Sequence, residues 1–566
     1  MTLEFVTNTW NGSAWSNGTP NSTQKIVFSG NYPPAVDLDA DIITGCSCIV
    51  TGGIAVTIKS GKTLAITNEV KVLGTLTFEN NASLVQVNNV TNVGKITYKR
   101  ATTTIREFDF TYWSSPVAGQ NLLAVSPTSK LDKFFYFDAA ANDWVQETPS
   151  TTTMDIGKGY IIRGVPLPTP PAPGFYQAPF YGVPNNGDIP ITVTGGETSN
   201  LIGNPYPSAI YADQFLFDNQ SSIDGTIYFW THNTPIAIGT PDPGTGAWAY
   251  SGNDYASYSL TGGVGTGSGI GSTIPGTPPT ENVSNRPTGK IAAGQSFFTT
   301  STAAGGPVKF TNAMRVDGSG NPLDNSNFYR TKNSKSKKVS AIEKNRVWLN
   351  LTNKQGAFKQ TLVGYITGAS NSWDKLYDGE SFDGNDFLDF YSINDEKNLT
   401  IQGRALPFDE NDEIPLGYRI AVEGTFTINI GETDGLLANQ AIFLEDKLTN
   451  TVFDLKTGNY TFNTAAGTFD DRFVLRYTSK TLGTNDLEIS SNKVLVSIKN
   501  KQIKIDSFAE TIDGVAIYDV AGRQIYQKNK VNSNELSIPN FVSSHQILIV
   551  KTTLQNGKTV SNKIVY

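Results

Sequence analysis

The sequence predicts an all-β protein made of several domains. Three observations carry that expectation. Apolar residues come in short alternating pulses bounded by Gly, Asn, Ser or Pro. No segment repeats apolar residues at helical spacing over any length, so helix is expected to be scarce. The composition is that of an extracellular β-protein: Gly 53, Pro 28, aromatics 11% and only 17% charged residues, which supplies turn formers and strand formers together. At 566 residues the chain exceeds a single core, and about three or four domains are expected.

Residues 1–100 open with Trp10-Asn11-Gly12 and Trp15-Ser16-Asn17-Gly18-Thr19-Pro20, aromatic residues set in turn chemistry. Pulses then recur from Ile42-Ile43 through Ile54-Ala55-Val56-Thr57-Ile58, Leu76-Thr77-Phe78 and Ile96-Thr97-Tyr98. Their brevity and regularity favour a short β-solenoid over a sandwich of very short strands. The two cysteines, Cys46 and Cys48, are expected on one face of a strand as small buried hydrophobes; a strained disulfide is the alternative.

Residues 101–328 read as a β-rich domain with long Gly/Pro/Ser/Thr loops. Strands are expected at Phe108–Trp113, Phe134–Phe137, Gly159–Arg163, Ile191–Val193, Ile227–Trp230 and Gln295–Phe298. Asn204-Pro205-Tyr206-Pro207-Ser208 breaks any strand, and a short helical turn follows through Ala212–Phe215. Gly239 to Gly289 reads as a long surface excursion. Residues 329–345 carry Lys332, Lys335, Lys337, Lys338 and Lys344 and are expected to be a solvated linker. Residues 346–484 return to half-buried strands and predict an antiparallel β-sandwich.

Little chemistry is offered along this length. Net charge is -7, and no basic stripe suits nucleic acid. No apolar run nears the roughly 18 residues that cross a bilayer as a helix. The first residues hold no signal-peptide pattern, so Met1 is expected to be an artificial or internal start. His232 and His545, the two histidines, exclude a histidine-rich zinc site and give a Ser-His-Asp triad no visible partners. A catalytic residue is therefore not expected, and no cofactor beyond a possible Ca²⁺. For that ion the acidic loop with Asp378, Asp383, Asp386 and Asp389 is the candidate, because hard cations take several carboxylate and carbonyl oxygens from flexible loops; a solvated loop is the competing reading. Trp248, Tyr250 and Tyr255 are candidates for stacking on sugar rings. Trp113, Trp230 and Trp348 are expected in cores.

Residues 485–566 are the most informative. Strands Val494–Ile498 and Gln502–Ile505 lead to Val515-Ala516-Ile517-Tyr518-Asp519-Val520-Ala521-Gly522-Arg523-Gln524-Ile525-Tyr526. Gln546–Lys551, the tight-turn signal Asn556-Gly557 and Lys563-Ile564-Val565-Tyr566 follow. This strand, Gly-Arg turn, Ile-Val-Lys strand, Asn-Gly turn and Lys-Ile-Val ending resemble the C-terminal sorting domain of Type 9 secretion cargo from gliding and gum-associated Bacteroidetes, nearest the variant called type C. The resemblance implies a small Ig-like β-sandwich, folding in the periplasm and passage through a very large outer-membrane translocon barrel. It also implies capture of the last strand by an outer-membrane shuttle barrel. Matched residue by residue, the recognition positions are Tyr518, Asp519, Gly522, Arg523, Gly557, Lys558, Lys563, Ile564, Val565 and Tyr566. The long turn Lys528–Asn532 and the Tyr ending depart from type A relatives and leave cleavage and anchoring open. The function expected is a secreted or cell-surface, non-enzymatic, adhesin-like or stalk protein; the alternative is a secreted polysaccharide-binding or glycan-hydrolysing protein.

Overall fold

The computed structural model describes residues 6–32, 41–105, 108–165, 174–231, 237–238, 248–249, 254–267, 286–326, 342–354, 357–381, 387–479, 494–499, 502–507, 510–519, 522–539 and 547–565. It is all-β, about 54% strand and 5% helix. The chain forms two compact units, residues 1–479 and 480–566.

The first unit begins as a solenoid. Thr7–Trp10, Lys25–Phe28, Ser47–Val50 and Val70–Val72 stack in parallel as one sheet. Ile42–Gly45, Thr63–Ile66 and Ser83–Gln86 stack as a second. Ala55–Ile58, Thr75–Phe78 and Ile96–Ala101 form a third, which the antiparallel strand Gln177–Pro184 extends. Alternation inside each pulse sets the stack: Ile26, Cys48 and Val70 are in register and fully buried, as are Val56 and Leu76. The cysteines do not share a strand. Cys46 lies in the bend where the chain turns from Ile42–Gly45 into Ser47–Val50. Both are buried and unbridged, and burial pushes the Cys48 thiol up to about 12. Cys48→Ser places a hydroxyl between two aliphatic rungs and is expected to cost about 1–3 kcal/mol, read as a lower urea midpoint at unchanged slope.

A parallel stack ends in a free edge that must be covered. The Asn204–Ser208 segment does this for the second sheet. Leu84 donates its N–H to the Pro207 carbonyl at 2.8 Å, and its carbonyl accepts from Arg315. Arg315 is fully buried. It also donates to Ser208 Oγ, Asn186 Oδ1 and Asn312 Oδ1 at 2.9–3.0 Å and lies 4.7 Å over the Tyr206 ring. Burial lowers its pKa to about 10.

Two antiparallel sheets follow, Phe110–Trp113 with Tyr160–Arg163, Phe134–Asp138 and Asp143–Gln146, and a five-stranded sheet built on Ser296–Ser301 and Ile223–Trp230. The helix Ala212–Asn219 packs beside the latter. The stretch expected to be a structureless excursion contains the strands Tyr255–Ser259 and Gly262–Val264, largely buried. Tyr258 Oη donates to Asp213 at 2.6 Å, so aromatic packing and a buried hydrogen bond override the loop-like composition. Lys344, assigned by sequence to the linker, begins the strand Lys344–Asn353; its Nζ donates to the Leu260 carbonyl at 2.6 Å. The rest of the stretch 329–345 lies largely outside the described residues. The strand Lys344–Asn353 belongs to an eleven-stranded, mostly antiparallel sheet running to Gly467–Arg476, one face of which encloses Leu349, Tyr365, Phe390, Leu416, Tyr418 and Phe473.

The second unit is a two-layer sandwich. Val494–Lys499, Gln502–Ser507 and Glu535–Ile538 form one sheet; Gln524–Ser533, Ile512–Asp519, Ile547–Leu554 and Thr559–Val565 form the other in that order. Ile503 and Ile505 meet Ile512, Val515, Ile517, Leu548 and Val550 between them. Among the described residues no helix is long and apolar enough to cross a membrane.

Candidate functional site

The last strand of the second unit, Thr559–Val565, is the outermost of its sheet. Its seven residues pair with Ile547–Leu554 without a register break. Val560 and Ile564 turn inward and pack on the core, and Asn562 Nδ2 donates to the Val494 carbonyl of the opposite layer at 2.9 Å. Lys563 is exposed. The sheet's other edge, Gln524–Ser533, is built differently. Its pairing to Ile512–Asp519 shifts register twice, and Lys530 and Asn532 adopt φ of 55° and 49°. The segment Lys528–Asn532, expected as a long turn, is thus a bulged strand. Bulges and lysines are how natural sheets close an edge to further pairing; the last strand carries no bulge.

Two hairpins frame the site with one turn geometry. Asp519 donates its N–H to the Arg523 carbonyl and accepts from Gly522 N, each at 3.0 Å. Leu554 does the same with Lys558 and Gly557, at 2.8 and 2.9 Å. Gly522 and Gly557 take the left-handed position, φ 80° and 82°. Asn556-Gly557 is therefore not a two-residue turn: Gly557 alone has positive φ there, and Asn556 Oδ1 accepts from Lys558 N at 3.0 Å. A side chain at Gly522 meets open space, so Gly522→Ala strains only the backbone, by about 1–2 kcal/mol. Its thermal midpoint is expected to fall, and that of Gly557→Ala to fall equally.

Register gathers most of the sequence-predicted positions at one end of the sheet. Tyr518 lies opposite Ile549, and Ile549 opposite Lys563; Asp519 lies opposite Leu548, and Leu548 opposite Ile564. The Gly522-Arg523 turn and Val565 are at this same end. Gly557 and Lys558 are at the opposite end, beyond Thr559. Tyr566 lies outside the described residues. The sequence reading missed Ile549, 41% exposed between Tyr518 and Lys563; strict alternation in Ile547–Val550 was the signal for it.

The other candidates are engaged elsewhere. Asp378 is buried and accepts from Gly403 N at 2.7 Å and Asp374 N at 2.6 Å; burial raises its carboxyl to about 7 against the pull of those two N–H groups. Asp389 is buried against Lys359 Nζ at 3.1 Å and accepts from Ser381 Oγ at 2.7 Å. Asp383 and Asp386 lie outside the described residues. Among the described residues no group of three or more His, Cys, Asp or Glu is arranged to hold a metal ion. Tyr255 is a strand residue whose Oη meets Tyr112 Oη at 2.6 Å and whose ring packs on Trp230 at 5.1 Å. Tyr250, His232 and His545 lie outside the described residues, as does the side chain of Trp248. Trp113, Trp230 and Trp348 are buried.

A family model described as a domain of unknown function (DUF8693) matches residues 5–477, and a second, likewise of unknown function (DUF8694), matches residues 482–566. No curated protein matches the chain. Among solved structures, Tp47, the 47-kilodalton lipoprotein of Treponema pallidum, is similar over 64% of this chain and 92% of its own, at 9% identity and a TM-score of 0.12. The BSP domain of a biofilm-associated protein is similar over 82% of this chain and 90% of its own, also at 9% identity and 0.12. Scores that low carry no argument about fold or function.

Proposed function

We propose a function from geometry, because the chain belongs to the DUF8693 family, whose description assigns no activity. The protein is a secreted or cell-surface, non-enzymatic, adhesin-like or stalk protein. It is exported by the Type 9 system, and residues 480–566 are its sorting domain. One observation carries this reading: in the sheet of that unit one edge is broken by bulges, while the last strand keeps a regular, outermost register. A regular edge is a template on which a partner can add a strand, with main-chain bonds supplying affinity and neighbouring side chains supplying choice. The shuttle barrel is the partner, and the exposed residues at that end of the sheet, Arg523, Ile549 and Lys563, supply the choice. Rungs and sheets upstream offer length and a stable surface.

The test is delivery. The full chain, given a periplasmic signal peptide, is produced in a Type 9-competent bacterium of the Bacteroidetes group. Recovery at the cell surface or in the medium, with co-purification of outer-membrane barrel proteins, is the expected outcome. Retention in the periplasm, equal with and without a working translocon, contradicts it.

A further inference from the structure

We propose that Lys344 and Asp213 condense into an isopeptide bond, an amide from the lysine Nζ to the aspartate Cγ. It ties the helix Ala212–Asn219 to the strand Lys344–Asn353, the first in chain order of the eleven-stranded sheet. The inference stands independently of the export reading. The two side chains lie side by side, with Lys344 Nζ 3.9 Å from Asp213 Oδ2 and only 20% and 12% of them exposed. At that distance they make no hydrogen bond to each other. Each is held by a third group instead. Lys344 Nζ donates to the Leu260 carbonyl at 2.6 Å, and Tyr258 Oη donates to Asp213 Oδ1 at 2.6 Å. Tyr258 and Leu260 belong to the same apolar cluster as Ile210, Ala212 and Phe215, so the pair sits at the margin of a core. Two charges placed there lose hydration without gaining a direct hydrogen bond, which is unfavourable. Condensation removes both charges and releases water.

The chemistry is assembled in place. Burial lowers the Lys344 pKa against the pull of Asp213 and Asp434, with the Arg346 charge adding to the effect, and this favours the uncharged, nucleophilic amine. Burial, followed by the Asp213 charge, holds Tyr258 well above the ordinary tyrosine range, so its hydroxyl stays a donor. The flexible lysine stem closes the remaining gap. The step balances within the pair. The ammonium gives one proton to Asp213 Oδ2. The nitrogen lone pair then forms the bond to Cγ, and the Tyr258 hydroxyl meets the charge that develops on Oδ1. The Cγ–Oδ2 bond breaks, its electron pair leaves with the oxygen, and a second proton from nitrogen completes one water. No oxidant or further reactant is consumed. The product amide needs an acceptor for its N–H and a donor for its carbonyl. The Leu260 carbonyl and the Tyr258 hydroxyl already occupy those positions. The bond gives a chain under tension a covalent path that bypasses residues 214–343, which suits a stalk.

The experiment measures the intact mass of the folded full chain, then digests it and fragments the peptides. Wild type is compared with Lys344→Arg and Tyr258→Phe. Wild type is expected to be one water lighter than its sequence mass, with a branched peptide joining Lys344 to Asp213 that survives boiling in denaturant. Lys344→Arg keeps the charge but should show the full sequence mass and no branch. Tyr258→Phe should link about a hundredfold more slowly, the usual effect of removing one donor to a developing oxyanion, so its linked fraction should rise with time from an unlinked start. Wild type at its full sequence mass, a lost water that persists in Lys344→Arg, or a branch at other residues overturns the assignment. Linkage at the wild-type rate in Tyr258→Phe overturns the part given to Tyr258.

Discussion

Deleting Lys558–Tyr566 is expected to reduce surface delivery to background while residues 1–479 stay folded. The two units are separately compact, so the loss falls on the second alone. Within it the deletion removes Val560 and Ile564 from the core margin and uncovers Ile547–Leu554 as a new edge. A gentler pair of variants separates pairing from folding. In an antiparallel edge strand, neighbouring N–H groups point alternately to the partner strand and outward. Of Ser561→Pro and Asn562→Pro, one removes a ladder bond and lowers the thermal midpoint, and one removes only an outward donor. The variant that keeps its midpoint should still fail in delivery. Wild-type surface levels in that variant would show that the free edge is not what the carrier reads.

The second large effect is expected in the eleven-stranded sheet. Asp446 is fully buried and Arg472 nearly so. Arg472 reaches Asp446 through Nε at 3.1 Å and a terminal nitrogen at 2.8 Å. Tyr460 Oη and Leu448 N also donate to Asp446, at 2.8 and 3.0 Å. The second terminal nitrogen of Arg472 serves Tyr418 Oη and the Asn463 carbonyl. Four strands are tied at this point: Phe443–Asp446, Gly467–Arg476, Tyr460–Thr464 and Glu413–Ile420. Arg472→Met leaves the carboxylate buried and uncompensated, and a loss of about 3–5 kcal/mol is expected. Asp446→Leu with Arg472→Met should recover much of it, because paired apolar replacement restores neutrality. pH supplies a further check. Burial pushes the Asp446 carboxyl up, but the Arg472 and Tyr460 hydrogen bonds and the Arg472 charge outweigh it, and its pKa lies below the ordinary value. A depressed carboxylate contributes stability above the unfolded pKa of about 3.9 and loses it as pH falls through the folded one. The gap between wild type and Asp446→Asn in urea unfolding should therefore be full at pH 7 and close below about pH 4.

Much of the fold was legible because alternation is local. Ile26, Cys48, Val56, Leu76 and Ile96 declare an inward face within four or five residues, and the solenoid follows from stacking them. The core placement of Trp113, Trp230 and Trp348 was legible for the same reason. The remainder depends on partners distant in the chain. The Asn204–Ser208 segment shows a break in sequence, but its role as an edge cap requires Arg315 and Leu84, 231 positions apart. Tyr255 and Tyr258 sit in a stretch whose Gly, Ser, Thr and Pro content predicts loop, yet the aromatic faces of Tyr112 and Trp230 and the carboxylate of Asp213 hold them in a strand. Asp378 and Asp389 read in sequence as parts of one acidic loop; the partners that hold them, the backbone N–H groups of Asp374 and Gly403 on Asp378 and the ammonium of Lys359 on Asp389, are brought to them by the fold. In the second unit the chemistry of Gly522-Arg523 was readable, but its shared end with Ile564 and its separation from Lys558 arise from register, which no local pattern specifies.

The most direct measurement is amide hydrogen exchange of the full chain, alone and bound to solubilised outer membranes of a Type 9-competent bacterium. Alternate amides across residues 559–565 should gain protection on binding while those of Gln524–Ser533 stay unchanged. Binding that leaves exchange in the last strand as it was, or that protects the bulged edge instead, would contradict the proposal that the regular edge is the part gripped.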